Sequence, residues 1–133
     1  MTFTPAAADT LARFLADTRT TPRDYDLILT GDLSAIGAEL FCDLMQRRGV
    51  HLGDRYNDCG LLLYDRDRQD VHAGGSGCGC SGAVVCSHIL HRMQRHELER
   101  VVFLGTGALL SPVSAQQGES IPGIAHLVLL SNE

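Results

Sequence analysis

The chain has 133 residues, a net charge of −5 and 44% hydrophobic residues, with only 5% aromatic and no Trp. That is one domain's worth of chain, and its core must be aliphatic, built from Leu, Val, Ile and Ala. The 11 Lys and Arg are scattered, with Arg47–Arg48 the only adjacent pair, which excludes a nucleic-acid footprint. No apolar run approaches the ~20 residues that a membrane span needs.

The elements follow in chain order. Thr4 as N-cap and Pro5 at the first helical position open a helix. Ala8, Leu11, Ala12, Leu15 and Ala16 keep one apolar face on it through about residue 18. Residues 20–24 form a turn, and Pro22 blocks any helical continuation. Residues 26–30 (DLILT) read as a short strand buried on both faces. Ser34 caps a second helix that runs to Arg48, with Gly49 as its stop. Residues 50–59 read as loop, and residues 60–64 (GLLLY) as a second strand. Residues 65–70 are turn-like, and a glycine loop then leads into a helix over about 81–95. Residues 100–104 (RVVFL) form a third strand, residues 105–121 a long loop, and residues 123–131 the last strand. The order is αβαβαββ, an α/β fold in one segment spanning 1–133.

The densest chemistry lies between His72 and Met93, HAGGSGCGCSGAVVCSHILHRM. Gly74, Gly75, Gly77, Gly79 and Gly82 allow positive φ and close backbone approach. The helix start that follows supplies unpaired N–H groups and a partial positive charge. The stretch is therefore either a tight packing junction or an anion-binding site. Cys78 and Cys80, with His72, Cys86, His88 and His91 nearby, raise the question of a metal. A single C-x-C lacks the paired hairpins that zinc uses, so no metal and no cofactor are expected. Packed cysteines account for the pattern, with Cys86 buried by the helix. Five cysteines without secreted-scaffold spacing, and no signal-peptide pattern, point to free thiols in a reducing, cytosol-like compartment. His72 reads as a hydrogen-bonded loop residue, and His88, His91 and His96 as a solvated helix face.

Four segments carry a resemblance: residues 25–37 (YDLILTGDLSAIG), 56–65 (YNDCGLLLYD), 72–82 (HAGGSGCGCSG) and 106–126 (TGALLSPVSAQQGESIPGIAH). They resemble the C-terminal part of the stage V sporulation protein AD family, whose fold is thiolase-like. The resemblance implies a partial thiolase-like fold, the C-terminal part of its second half, with the first half absent. It also implies that missing central strands leave the retained ones short of neighbours. The family is implicated in moving pyridine-2,6-dicarboxylic acid (dipicolinic acid) into forming spores and out at germination. It works beside small membrane proteins encoded with it, so a cytosolic or forespore location, peripheral to the spore inner membrane, is implied.

Condensing enzymes of this superfamily carry a His at the end of the strand that 26–30 resembles. Thr30, Gly31 and Asp32 stand there, and Ser76 stands at the second His or Asn position. The resemblance thus implies a non-catalytic protein. A dicarboxylate suits an amide nest at a helix start. The candidate ligand-binding residues are Ser76, Gly77, Gly79 and Ser81 on the glycine loop, and Ser114, Gln116, Gln117 and Glu119 on the later loop. Two alternatives stay open. One is an acyltransferase remnant acting on acyl-CoA. The other is a docking half whose partner is a separately encoded first half or a second copy.

Overall fold

The computed structural model describes residues 3–107, 112–118 and 123–132. Helix α1 (Phe3–Thr18) precedes strand β1 (Leu27–Thr30), α2 (Ser34–Arg47) and β2 (Tyr56–Asp58). A short α3 (Cys59–Leu62) follows, and the glycine loop then enters α4 (Cys80–Val84). A π turn over Val85–Ile89 joins α4 to α5 (Leu90–Gln94). Strand β3 (Arg100–Gly107), α6 (Pro112–Gln116) and β4 (Ile124–Ser131) complete the α/β order.

The sheet order is β2-β1-β3-β4. β1 pairs in parallel with β2 and with β3, and β4 runs antiparallel to β3. The expected central gap is not there: Leu27 to Thr30 pair directly with Val101 to Leu104. Alternate residues of the central strands feed two cores, because side chains of a strand alternate between faces. Ile28, Val102 and Leu104 pack with Ala7, Ala8, Leu11 and Leu15 of α1 and with Phe41 and Met45 of α2. Leu29 and Val101 pack on the other face with Cys59, Cys80, Val84, Ile89 and Met93. Three long helical segments thus suffice for a three-layer fold, two on one face and one on the other.

Several sequence expectations are corrected. Thr4 lies inside α1 and is buried, so it is not the N-cap, and Ala16 of the expected stripe is exposed while Ala7 is buried. The second strand is Tyr56–Asp58, and the run 60–64 begins as helix α3 and ends exposed at Leu63 and Tyr64. A short apolar run does not distinguish strand from helix by itself. Here Asp58 decides it, in extended conformation at φ −128° with its side chain accepting the Gly60 amide. The helix after the glycine loop carries an extra residue as the π turn, a local feature that periodicity does not register. The expected long loop is shorter, because β3 runs to Gly107 and α6 forms within it. Gly49 ends α2 as expected. It takes φ +78°, and the amides of Gly49 and Val50 bond back to the carbonyls of Gln46 and Met45.

Ser34 does not cap α2 with its own side chain. It sits at φ +59°, and its hydroxyl donates to the Gly75 carbonyl at 2.7 Å. The Leu33 and Ser34 amides are capped by Asp58, at 2.9 Å each. The same carboxylate accepts the Gly60 amide at 2.9 Å and the Thr30 hydroxyl at 2.6 Å. Asp58 is fully buried. Desolvation pushes its carboxyl above the ordinary aspartate range, and the four donors pull it back. Truncating it leaves those donors without an acceptor inside the protein. Asp58→Ala is expected to lower stability by about 3–5 kcal/mol, since each stranded buried donor costs ~1–3 kcal/mol. Urea unfolding checks this; a loss within the ordinary surface range would show that water replaces the carboxylate.

Candidate functional site

β1 and β3 run parallel, so their C-terminal ends open on the same side of the sheet. In open α/β sheets that end is where clefts form. Asp32, two residues beyond β1, and Thr106, near the end of β3, meet there. The Thr106 hydroxyl donates to Asp32 Oδ1 at 2.9 Å and accepts the Asp32 amide at 2.9 Å. The glycine loop reaches the other oxygen: Gly77 N donates to Asp32 Oδ2 at 3.1 Å, and Ser76 Oγ lies 3.4 Å from it.

Around this junction lies a cleft of about 690 Å³, lined by Asp32, Ser76, Gly77, Cys78, Ser81, Phe103, Gly105, Thr106, Gly107, Ile124 and His126. Its size suits a small organic molecule. No Arg or Lys lines it among the described residues. A neighbouring depression on the far side of the loop takes in Leu63, Tyr64, Gly75 and Gly79 and shares Ser76 and Gly77.

Of the two readings of the glycine loop, the packing junction is realised in its first half. Gly74 and Gly75 form a packing junction with Gly60. The Gly75 amide donates to the Gly60 carbonyl at 2.7 Å, and a Cβ on Gly60 would collide with the Gly75 carbonyl. Ser76 to Gly79 are exposed and face the clefts. Asp58 and Ser34 connect these halves to the sheet, since Ser34 holds Gly75 from the start of α2.

Of the predicted site residues, Ser76, Gly77 and Ser81 share the main cleft, while Gly79 lines the neighbouring one. Gln116 and Gln117 are exposed at the end of α6 and line neither among the described residues. The Ser114 side chain and Glu119 lie outside the described residues. His72 is exposed and lines neither cleft; its ring nitrogen is 3.8 Å from Asp70. His88, His91 and His96 are exposed, as read from the sequence. The cysteines divide. Cys80 is buried, but Cys78 opens to the cleft and Cys86 is exposed rather than covered. Burial pushes the Cys59 thiol up to about 12 and raises Cys80 as well, so neither supplies a thiolate at neutral pH. Among the described residues no group of three or more His, Cys, Asp or Glu is arranged to hold a metal ion.

The sequence marks Asp32 only as a residue standing where a base is expected and does not mark Thr106, Asp58 or His126 as site residues. The available signal was a buried strand ending in Thr30-Gly31-Asp32. An acidic side chain just past the C-terminal end of a parallel strand falls at the cleft.

A family model described as Stage V sporulation protein AD matches residues 1–131. The chain is 50% identical over 125 residues to Stage V sporulation protein AD of Bacillus subtilis (strain 168). That similarity covers 94% of this chain and 37% of the relative, so the chain spans well under half of the length of the curated protein it matches.

The loop glycines make separate demands. Gly77 holds φ +126°, a region L side chains rarely adopt, with open space where a Cβ would point. Gly79 sits at φ −95° in open space. Gly77→Ala is expected to cost about 1–2 kcal/mol through backbone strain alone, and Gly79→Ala to be neutral or slightly stabilising. Thermal or urea unfolding of the two variants side by side checks this; equal effects would refute the assignment of strain to Gly77.

Proposed function

The chain belongs to the stage V sporulation protein AD family, and is therefore a sporulation-stage protein, and on that premise we propose that it supplies one wall of a site for dipicolinic acid. In this reading the segment corresponds to the C-terminal part of the second half of a thiolase-like fold. It acts in the forespore at the inner membrane, beside small membrane proteins, in uptake during sporulation and release at germination.

One observation carries the ligand class. Gly77 N–H and the hydroxyls of Ser76 and Thr106 converge on a carboxylate, that of Asp32. The cleft thus holds donors arranged to receive a carboxylate, and its own side chain fills them. With no Arg or Lys among the described lining residues, the wall lacks the cations that a dianion needs. The remaining contacts would come from another part of the assembled protein.

The reading also makes the chain non-catalytic. The Thr30 hydroxyl points into the buried Asp58 and Tyr56 network, and Asp32 is engaged with the loop. A second reading, acyl transfer from acyl-CoA, has one observation in its favour: Cys78 and His126 line the same cleft.

Calorimetric titration of dipicolinate against the chain is expected to give binding no tighter than millimolar, roughly 4 kcal/mol. Asp32→Ala frees the donors and removes a like charge. Affinity is then expected to rise at least about tenfold, ~1.4 kcal/mol. Micromolar binding by the unaltered chain would overturn the one-wall reading, and an unchanged affinity in the variant would move the ligand away from Asp32. In parallel, acyl-CoA thiolysis is expected to be absent; turnover lost on Cys78→Ser would favour the second reading.

A further inference from the structure

We propose that Phe103 and His126 form the sides of a slot for a flat aromatic ring, which lies on a floor made by Gly105 and Gly107 in the main cleft. The inference deepens the carboxylate reading and rests on it for the group that meets the loop donors. The slot itself stands on residues that the carboxylate contacts do not use. Gly105 and Gly107 lie within β3, in its eight-residue ladder with β4. Glycine inside a strand weakens it, so it marks a bulge, a special backbone conformation or a close approach by a ligand or another chain segment.

The internal reasons for glycine fail at both positions. The register from Arg100↔Ser131 to Gly107↔Ile124 is unbroken, so neither residue sits in a bulge. Neither takes a positive φ. Neither is crowded among the described residues. A Cβ on Gly105 would come no nearer than 3.8 Å to the His126 carbonyl and 4.0 Å to the Phe103 ring, and a Cβ on Gly107 would meet nothing within 4 Å. Gly31 shows the contrast, since a Cβ there would lie 2.8 Å from the Thr106 hydroxyl. Close approach by a ligand is the role left to the pair.

Alternation puts Phe103, Gly105 and Gly107 on one face of β3, with Val128, His126 and Ile124 directly opposite on β4. The helical layer of Val84, Ile89 and Met93 packs on that face over Leu29 and Val101. Beyond them the face opens into the main cleft, bordered by Ser76, Gly77, Cys78 and Ser81. Phe103 is half-buried with its ring edge against the Gly105 position, and His126 is exposed. Two flat side chains beside a floor without Cβ atoms fit a flat ring, held in offset or edge-to-face contact. From Phe103 to Gly107 the extended strand spans about 13 Å, room for one ring with its substituents. The same cleft offers the Gly77 amide and the Ser76 hydroxyl. One ligand can therefore lay its ring on the glycines and turn a carboxylate toward the loop, whereas an open-chain dicarboxylate gains only the second contact.

The test is ligand-observed NMR on the full chain and on its Asp32→Ala variant. The probes are dipicolinate, the neutral pyridine-2-carboxamide, and glutarate, an open-chain dicarboxylate. Both pyridines are expected to show transferred contacts to the Phe103 and His126 rings, and glutarate to bind about tenfold more weakly than dipicolinate. Gly105→Val fills the slot from an uncrowded Cβ position. It is expected to abolish both pyridine contacts and to leave thermal stability unchanged or raised. Should that variant misfold, His126→Ala, at an exposed position, decides: it is expected to weaken both pyridines about threefold to tenfold and to leave glutarate unchanged. Ring contacts from the carboxamide, with none from dipicolinate in either background, would remove the carboxylate reading and keep the slot. Equal binding of glutarate and dipicolinate, unmoved by the slot variants, would overturn the slot and keep the carboxylate reading. Absence of ring contacts from both pyridines would overturn both.

Discussion

A single buried carboxylate ties together the elements that form the cleft. Asp58 ends β2, and its two oxygens serve Thr30 at the end of β1, the first amides of α2 and the second residue of α3. Four donors from three elements thus converge on one side chain. Each of those groups would otherwise be an unpaired donor in an apolar interior, which is why a charge is tolerated there. The geometry also fixes direction. With its first amides pinned to Asp58, α2 leaves the sheet at a set angle, and Ser34 is placed to reach the Gly75 carbonyl.

From that anchor the glycine loop acquires two structural parts from one composition. Its first glycines are pressed against Gly60, where a side chain has no room. This contact stops the loop from collapsing onto the sheet or swinging into solvent. Its next residues are then held at the C-terminal ends of β1 and β3, where Gly77 and Ser76 meet Asp32. The cleft is a consequence of the parallel pairing of β1 with β3, which places both strand ends on one side.

Asp32 gives the cleft its chemical character. Its oxygens already take up the convergent donors, so an incoming carboxylate competes with an internal one. Site composition and site occupancy therefore point in different directions. The donors are arranged around a carboxylate, while the resident charge and the lack of Arg or Lys among the described lining residues oppose an incoming one. The proposed reading, in which another surface completes the site, reconciles the two.

The α/β class, the order of the main elements, β1, β4, the Gly49 stop and the solvated histidines were legible in the sequence. Each rests on local periodicity or on the conformational freedom of one residue, and both are properties of a few adjacent positions. The family was legible too, because long motifs such as HAGGSGCGCSG are specific as strings. Tertiary structure decided the rest. The start of GLLLY becomes helix because Asp58 caps it, and Asp58 is held by Thr30, 28 residues away. Cys86 faces solvent because the π turn shifts the helix face. Asp32, Thr106 and the glycine loop become one site only because parallel pairing and the Gly60–Gly75 contact bring to Asp32 positions 44 to 74 residues away. Hydrogen bonds over such separations leave no periodic trace, so the sequence determined the elements and the family, and the packed fold determined the site.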